Sequence, residues 1–226
     1  MTLNYCGLRR AVTSHTRDAV LADFPEILLI EDAVLRALTV EAWSYALCCS
    51  DFERITDMPP EGNPGSPVLK RGTQADHLRG VVRLALRLAD EFRTAWDDVV
   101  INQDVLIAAA VCHDVGKPYE FDVKNRARWA SDPSASGQPA FRHSVFGMHV
   151  CLTVGLPEEI AHVAVGHSME GQFMGLSTEC VLVRQADHCW WQVAGAVGLT
   201  VPNTLGASHA LSRPRALRSE SATFAT

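Results

Sequence analysis

Apolar residues recur at three- and four-residue spacing in segment after segment of this chain, and alternating runs that would read as strands are scarce. That pattern predicts helices packed on helices. From Ile30 to Cys48, Val34, Leu35, Leu38, Ala42 and Tyr45 fall on one side. Thr73 and Asp76 form a capping-box start for "QADHLRGVVRLALRLADEF", whose stripe is Leu78, Val81, Val82, Ala85, Leu88, Ala89 and Phe92. Asp104 is placed to cap "VLIAAAVCHD", and Gly116 with Pro118 to end it. Helical spacing resumes from His143 to Gly155, again with Pro157 as the first helical residue ahead of Glu158 and Glu159, and finally through "STECVLVRQADHCWWQVAGAVG". Between these, "MPPEGNPGSPVLKRGT" reads as loop, and the polar stretch 122–142 as a long connection or lid. The expectation is an all-α, single-domain bundle. It has an N-terminal helical segment (1–50) packing on the core, a main bundle (51–200) and a disordered tail (201–226).

A length of 226 residues suffices for one substantial core. The net charge of −6 argues against a nucleic-acid binder, which needs clustered Lys and Arg, yet leaves room for a small anionic substrate. No apolar run is long enough to span a bilayer, and the start "MTLNYCGLRRAVTSH" lacks the apolar core of a secretory signal. Seven cysteines, with no C-x-x-C pair, read as free thiols in a reducing compartment, so a cytoplasmic location is expected. The oligomeric state is not legible.

Each central helix carries an ionisable residue on or beside its apolar face: His77, the adjacent pair His113–Asp114, His143, His167 and Asp187. "AAAVCHDVGKPYE" poses the problem most sharply, because an apolar run has no use for a buried His-Asp pair unless something satisfies it. A lone buried His is usually a hydrogen-bonded structural residue, and Asp187 could pair with Arg184. Four imidazoles and two carboxylates on successive helices are a different object, because helical bundles build metal sites by aiming such groups inward. Nitrogen and oxygen ligands without thiolate suit Fe, Mn, Zn, Co or Mg, and six ligands exceed the need of one tetrahedral ion.

The order His77, His113–Asp114, Asp187 resembles the H…HD…D signature of the HD-domain superfamily of metal-dependent hydrolases, and "HDVGKP" is similar to its HD-x-G-K turn. "HSVFGMHVCLTVGLPEEIAHVAVGHS" is similar to the stretch that supplies two further histidines in dinuclear members. The resemblance covers residues 74–191 and implies an HD-domain helical bundle with two divalent or mixed-valence metal ions in its core. It implies that His77, His113, Asp114 and Asp187 hold one ion and that His143 and His167 hold the second, with Asp114 bridging. His167 is preferred to His162 because it ends an apolar run before the polar "SMEG".

Two metals can share a bridging hydroxide and clamp a phosphoryl group. Asp114 and Lys117 are therefore the expected catalytic residues, and the resemblance favours substrate contact by Lys117. Arg126, Arg128 and Arg142 could add positive charge over the site, and Tyr119 and Trp129 could line the pocket. A phosphate-binding P-loop is excluded by Val111 and Pro118 at its required positions. No G-x-S-x-G elbow is present either. "SMEGQFMG" stands where the cyclic-dinucleotide-degrading subclass would carry its glycine-tyrosine-proline motif. The resemblance thus implies a hydrolase, foremost a phosphohydrolase of a small phosphoester. The alternative that the resemblance implies is a mixed-valence diiron oxygenase cleaving a C–C or C–P bond of a hydroxylated small molecule, inositol-like or hydroxyphosphonate-like; either way an anionic or polyhydroxylated substrate is expected.

Overall fold

The computed structural model describes residues 7–131 and 141–202. Its elements are α1 (Ser14–Asp23), a 3-10 turn (Pro25–Leu29), α2 (Ala33–Cys48), a 3-10 turn (Ile55–Asp57), β1 (Val68–Leu69), α3 (Gln74–Ala95), α4 (Gln103–Cys112), α5 (Lys117–Phe121) and α6 (Val123–Ser131). Beyond residue 140 follow α7 (His143–Val154), α8 (Glu158–Gly166), a 3-10 turn (Met169–Phe173), α9 (Thr178–Ala196) and β2 (Thr200–Val201). The chain is an all-α bundle. Its only sheet among the described residues is the two-residue antiparallel pairing of β1 with β2, which ties the loop before α3 to the end of α9.

α4 is the axis of the bundle. It packs against α2, α3, α8 and α9, and every residue from Leu106 to Cys112 is buried. A helix apolar on all sides can sit only in such a place. The N-terminal helices share the same core: Trp43 of α2 is fully buried, and its indole N–H donates to Val111 O at 2.9 Å. That bond satisfies one of the carbonyls left open where α4 ends. Cys48, Cys49, Cys112, Cys151 and Cys180 are buried free thiols, whereas Cys189 is exposed. No helix among the described residues is long and apolar enough to cross a membrane.

Three expectations change. Asn102, not Asp104, caps α4 by accepting from Val105 N. Asp104 instead accepts from Glu31 N and Asp32 N, joining the start of α2 to α4. The polar stretch read as connection or lid contains α6. Asp122 accepts from Asn125 N at 2.9 Å at its start, and Trp129 is buried on its inner side. Arg9 pairs with the same Asp122 at 2.7 Å, so α6 is anchored by a residue far away in sequence. Residues 132–140 of that stretch and 203–226 of the expected tail lie outside the described residues. Finally, Pro157 is the N-cap of α8 rather than its first helical residue.

Candidate metal centre

The capping box at Thr73 and Asp76 starts α3, with Thr73 N donating to Asp76 Oδ2 at 2.7 Å. That start sets the helix rotation so that His77 faces inward in line with Val81 and Ala85, all three fully buried. His113 caps the end of α4, and the chain then turns through Asp114 to Gly116, with Lys117 N donating to Asp114 O at 2.9 Å. Gly116 lets this turn lie against α7: a Cβ there would come within 1.9 Å of His143 O and 2.6 Å of Gly147 N. The glycine of "HDVGK" is required by that close approach, since its φ of −83° suits any residue. The contact sets His143, first residue of α7, beside Asp114. Gly80 does the same for α3 and α9, because a Cβ at Gly80 would lie 2.1 Å from Trp190 Nε1. His77 and Asp187 thereby approach to 3.4 Å.

All six residues converge. Oδ2 of Asp114 lies 3.3 Å from His77 Nε2 and 3.1 Å from His113 Nε2. Oδ1 of the same carboxylate lies 3.5 Å from His143 Nε2 and 3.6 Å from His167 Nε2. Ligand atoms of His77, His113 and Asp187 are mutually within 4.8 Å, as are those of Asp114, His143 and His167. Each oxygen of one buried carboxylate thus faces a separate group of donors.

The far ring nitrogens fix the tautomers. His113 Nδ1 lies 2.7 Å from Ala110 O, His167 Nδ1 lies 3.0 Å from Ala164 O, and His143 Nδ1 makes a short hydrogen bond to the buried Glu120 carboxylate. An Nδ1 facing an acceptor must carry the proton. In its neutral form each ring would turn an Nε2 lone pair toward an oxygen of Asp114. Three lone pairs aimed at one carboxylate repel unless a cation lies between. His113 Nε2 indeed lacks an aligned hydrogen-bond partner despite its burial. The donor set, nitrogen and carboxylate oxygen without thiolate, fits divalent metal ions.

The electrostatics agree for His77 and His167 and oppose a neutral ring at His113 in the metal-free protein. Burial drives His77 down to about 4 and lowers His167, leaving both rings neutral near pH 7. Burial also works against protonating His113, but the Asp114 and Asp187 carboxylates outweigh it and raise that ring. Burial presses Asp114 upward, yet Lys117 and His113 hold it well below the usual carboxylate range. Lys117 is almost fully buried, with Nζ 2.7 Å from Asp114 Oδ2 and 3.4 Å from Glu61 O. With Gln74 oriented so that its amide oxygen faces the ammonium, that oxygen lies 2.7 Å from Nζ.

The cluster opens on a cavity of about 540 Å³. Asp114, Lys117, Arg142, His143, His167 and Asp187 line it, and His77 and His113 stand behind that wall. Arg142 donates to both oxygens of Glu170 at 3.0 Å. Tyr119 and Arg128 line a second cavity of about 570 Å³ and hydrogen-bond to each other. Neither lines the cavity over the metal centre: Arg128 stands on α6, and Tyr119 stacks on Phe146, centroids 4.0 Å apart. Arg126, also on α6, lines neither cavity. Trp129 is a core residue. His162 does not join the cluster, since its Nε2 accepts from Ser177 N.

Sequence reading missed Glu120, Gln74 and the two tryptophans around His77, whose rings lie 4.8 Å from the imidazole. Glu120 stands three residues after Lys117, but no local signal links it to His143, 23 residues on.

Comparison with curated proteins and with solved structures gives no match. A family model described as HD domain matches residues 75–190, just over half of the chain. HD domains bind divalent metals and are typically metal-dependent hydrolases; this chain belongs to the HD-domain family.

Proposed function

We propose that the protein is a dinuclear metal-dependent phosphohydrolase of a small phosphoester, with His77, His113, Asp114 and Asp187 holding one ion and Asp114, His143 and His167 the other. One observation carries the reading: the two oxygens of Asp114 face two separate donor groups, with imidazole lone pairs directed at each. Divalent ions held this way supply Lewis acidity and a water of lowered pKa. The chain supplies the rest. Lys117, buried against Asp114 and facing the cavity, offers a fixed positive charge to an incoming anionic or hydroxylated group. Glu120 holds the ring of His143 in the tautomer a ligand requires. A cavity of about 540 Å³ suits a small molecule rather than a polymer.

The test is metal analysis of protein purified without added metal, an electron paramagnetic resonance spectrum after partial reduction, and a phosphoester panel. Turnover of a phosphoester with manganese, zinc, cobalt or magnesium bound supports the reading. About two irons per chain with a coupled mixed-valence signal and no phosphoester turnover would overturn it in favour of a diiron oxygenase.

A further inference from the structure

Three lysine or arginine side chains line the cavity over the metal centre: Lys117, Arg142 and Arg184. Two of them are already engaged. Lys117 pairs with Asp114 at 2.7 Å, and Arg142 spans Glu170 at 3.0 Å and Asn63 at 2.9 Å. Arg184 forms neither a hydrogen bond nor an ion pair among the described residues. The pairing with Asp187 that the sequence allows is absent, since Asp187 turns to His77 at 3.4 Å. Arg184 stands on α9 one turn before Asp187, and its side chain reaches across to the turn that follows His167. There Nη1 would lie 3.1 Å from a Cβ at Gly171, so the guanidinium rests against bare backbone. Gly171 must be glycine in any case, as that Cβ would meet Gly166 O at 1.9 Å.

The charge inventory of the wall sharpens this. The carboxylates among its lining residues are Asp114 and Asp187, both assigned to metal in the reading above, on which this inference rests. With those two claimed, the cavity presents cationic groups and no free anion. Its one unpaired guanidinium sits between the helix carrying Asp187 and the turn carrying His167. A guanidinium offers a planar fork of donors that matches an oxyanion. We propose that Arg184 is the residue that binds an anionic group of the substrate, a phosphate, phosphonate or carboxylate, at the rim of the metal centre, and so sets specificity for charged over neutral substrates.

The experiment is calorimetric titration of inorganic phosphate into manganese-loaded protein, with metal content measured on the same samples. Wild type, Arg184→Gln, Arg184→Lys and Arg87→Gln are compared, Arg87 being an exposed arginine on α3 that controls for net charge. The expected result is that Arg184→Gln keeps its metal and binds phosphate about tenfold or more weakly. Arg184→Lys recovers part of the loss, and Arg87→Gln matches wild type. Acetate titrated in parallel separates a tetrahedral from a planar preference of the same group. Equal phosphate affinity of Arg184→Gln and wild type at equal metal content would overturn the role of Arg184 and leave the metal centre standing. The same holds if metal-loaded wild type binds no phosphate. If wild type takes up no metal, the metal reading fails first and the inference falls with it, a failure visible in the metal analysis alone.

Discussion

The two donor groups that Asp114 joins are held by different physics. His77 and Asp187 project from the bodies of two long helices, α3 and α9, and packing places them: Trp190 sits in the gap left by Gly80, and Trp190 and Trp191 flank the His77 ring. The Nδ1 of His77 has no hydrogen-bond partner. His143 and His167 stand at helix ends, and polar bonds place them, through Glu120 for one ring and the carbonyls of the last turn of α8 for the other. The His77 ring and Asp187 are positioned by shape, and the His143 and His167 rings are oriented by hydrogen bonds; His113 lies between the two cases, in the first group but bonded through Nδ1 to Ala110 O. Changes of volume should therefore damage one group, and changes of polarity the other.

The largest effect is expected where the groups meet. Asp114→Ala removes an oxygen from each, leaves Lys117 buried without its carboxylate, and should abolish binding of both ions. Metal content after exhaustive dialysis checks this. Retention of two ions by that variant would refute the bridging role of Asp114.

Gly80→Ala tests the shape-held group. The added methyl would lie 2.1 Å from the Trp190 indole nitrogen, so α3 and α9 must separate or the indole must move. Overpacking of this kind costs about 1–3 kcal/mol in stability. The affinity of the His77–His113–Asp187 group should fall while that of the other group holds. Thermal unfolding and a chelator-competition titration that resolves two affinities would read both effects. An equal loss at the two groups would mean that they are mechanically one.

Why these two arrangements were unequally legible in the sequence follows from the same contrast. The six residues of the cluster stand out because each is an ionisable group in an apolar helical run, and the capping box that orients His77 is a local signal. The supports are non-local. Nothing near Glu120 announces His143, and nothing near Gly80 announces Trp190, which is brought to it only by the packing of α3 on α9. α6 escaped notice because its buried positions are few, chiefly Asn125 and Trp129, and its anchor is the long-range pair of Arg9 with Asp122. Asp104 misled for the opposite reason: a plausible local cap is recruited by α2 instead. Helix class is written in periodicity. The supports of a site are written in tertiary contacts.

Glu120→Gln tests the bond-held group. Glutamine keeps the shape and an acceptor for His143 Nδ1 but removes the charge, so the ring becomes a weaker ligand. An affinity loss of about tenfold is expected at one group, in keeping with the usual effect of altering a carboxylate behind a metal-bound histidine. The two-affinity titration should show the other group unchanged. A loss confined to the tighter-packed group instead would invert the contrast drawn between the halves.

The smallest effect concerns the metal-free protein and acid. Burial lowers His77 from 6.5 to about 4, so its contribution to stability is complete above pH 6.5 and is lost as pH falls toward 4. His167, also lowered, acts in the same direction. His113 is raised and acts oppositely: its contribution is complete below pH 6.5 and is lost as pH climbs through its higher folded value. His77 alone accounts for roughly 3 kcal/mol across its window, and the opposition of His113 should offset part of the fall between pH 7 and pH 4.5 without reversing it. Urea unfolding of the apoprotein at the two pH values measures it, and His77→Gln should flatten the dependence. If the apoprotein instead gains stability on acidification, the proton on His113 dominates. The shape-held group would then be stabilised in the absence of metal by its own charge pairing with Asp114 and Asp187, not by the neutral packing of His77 between two indoles.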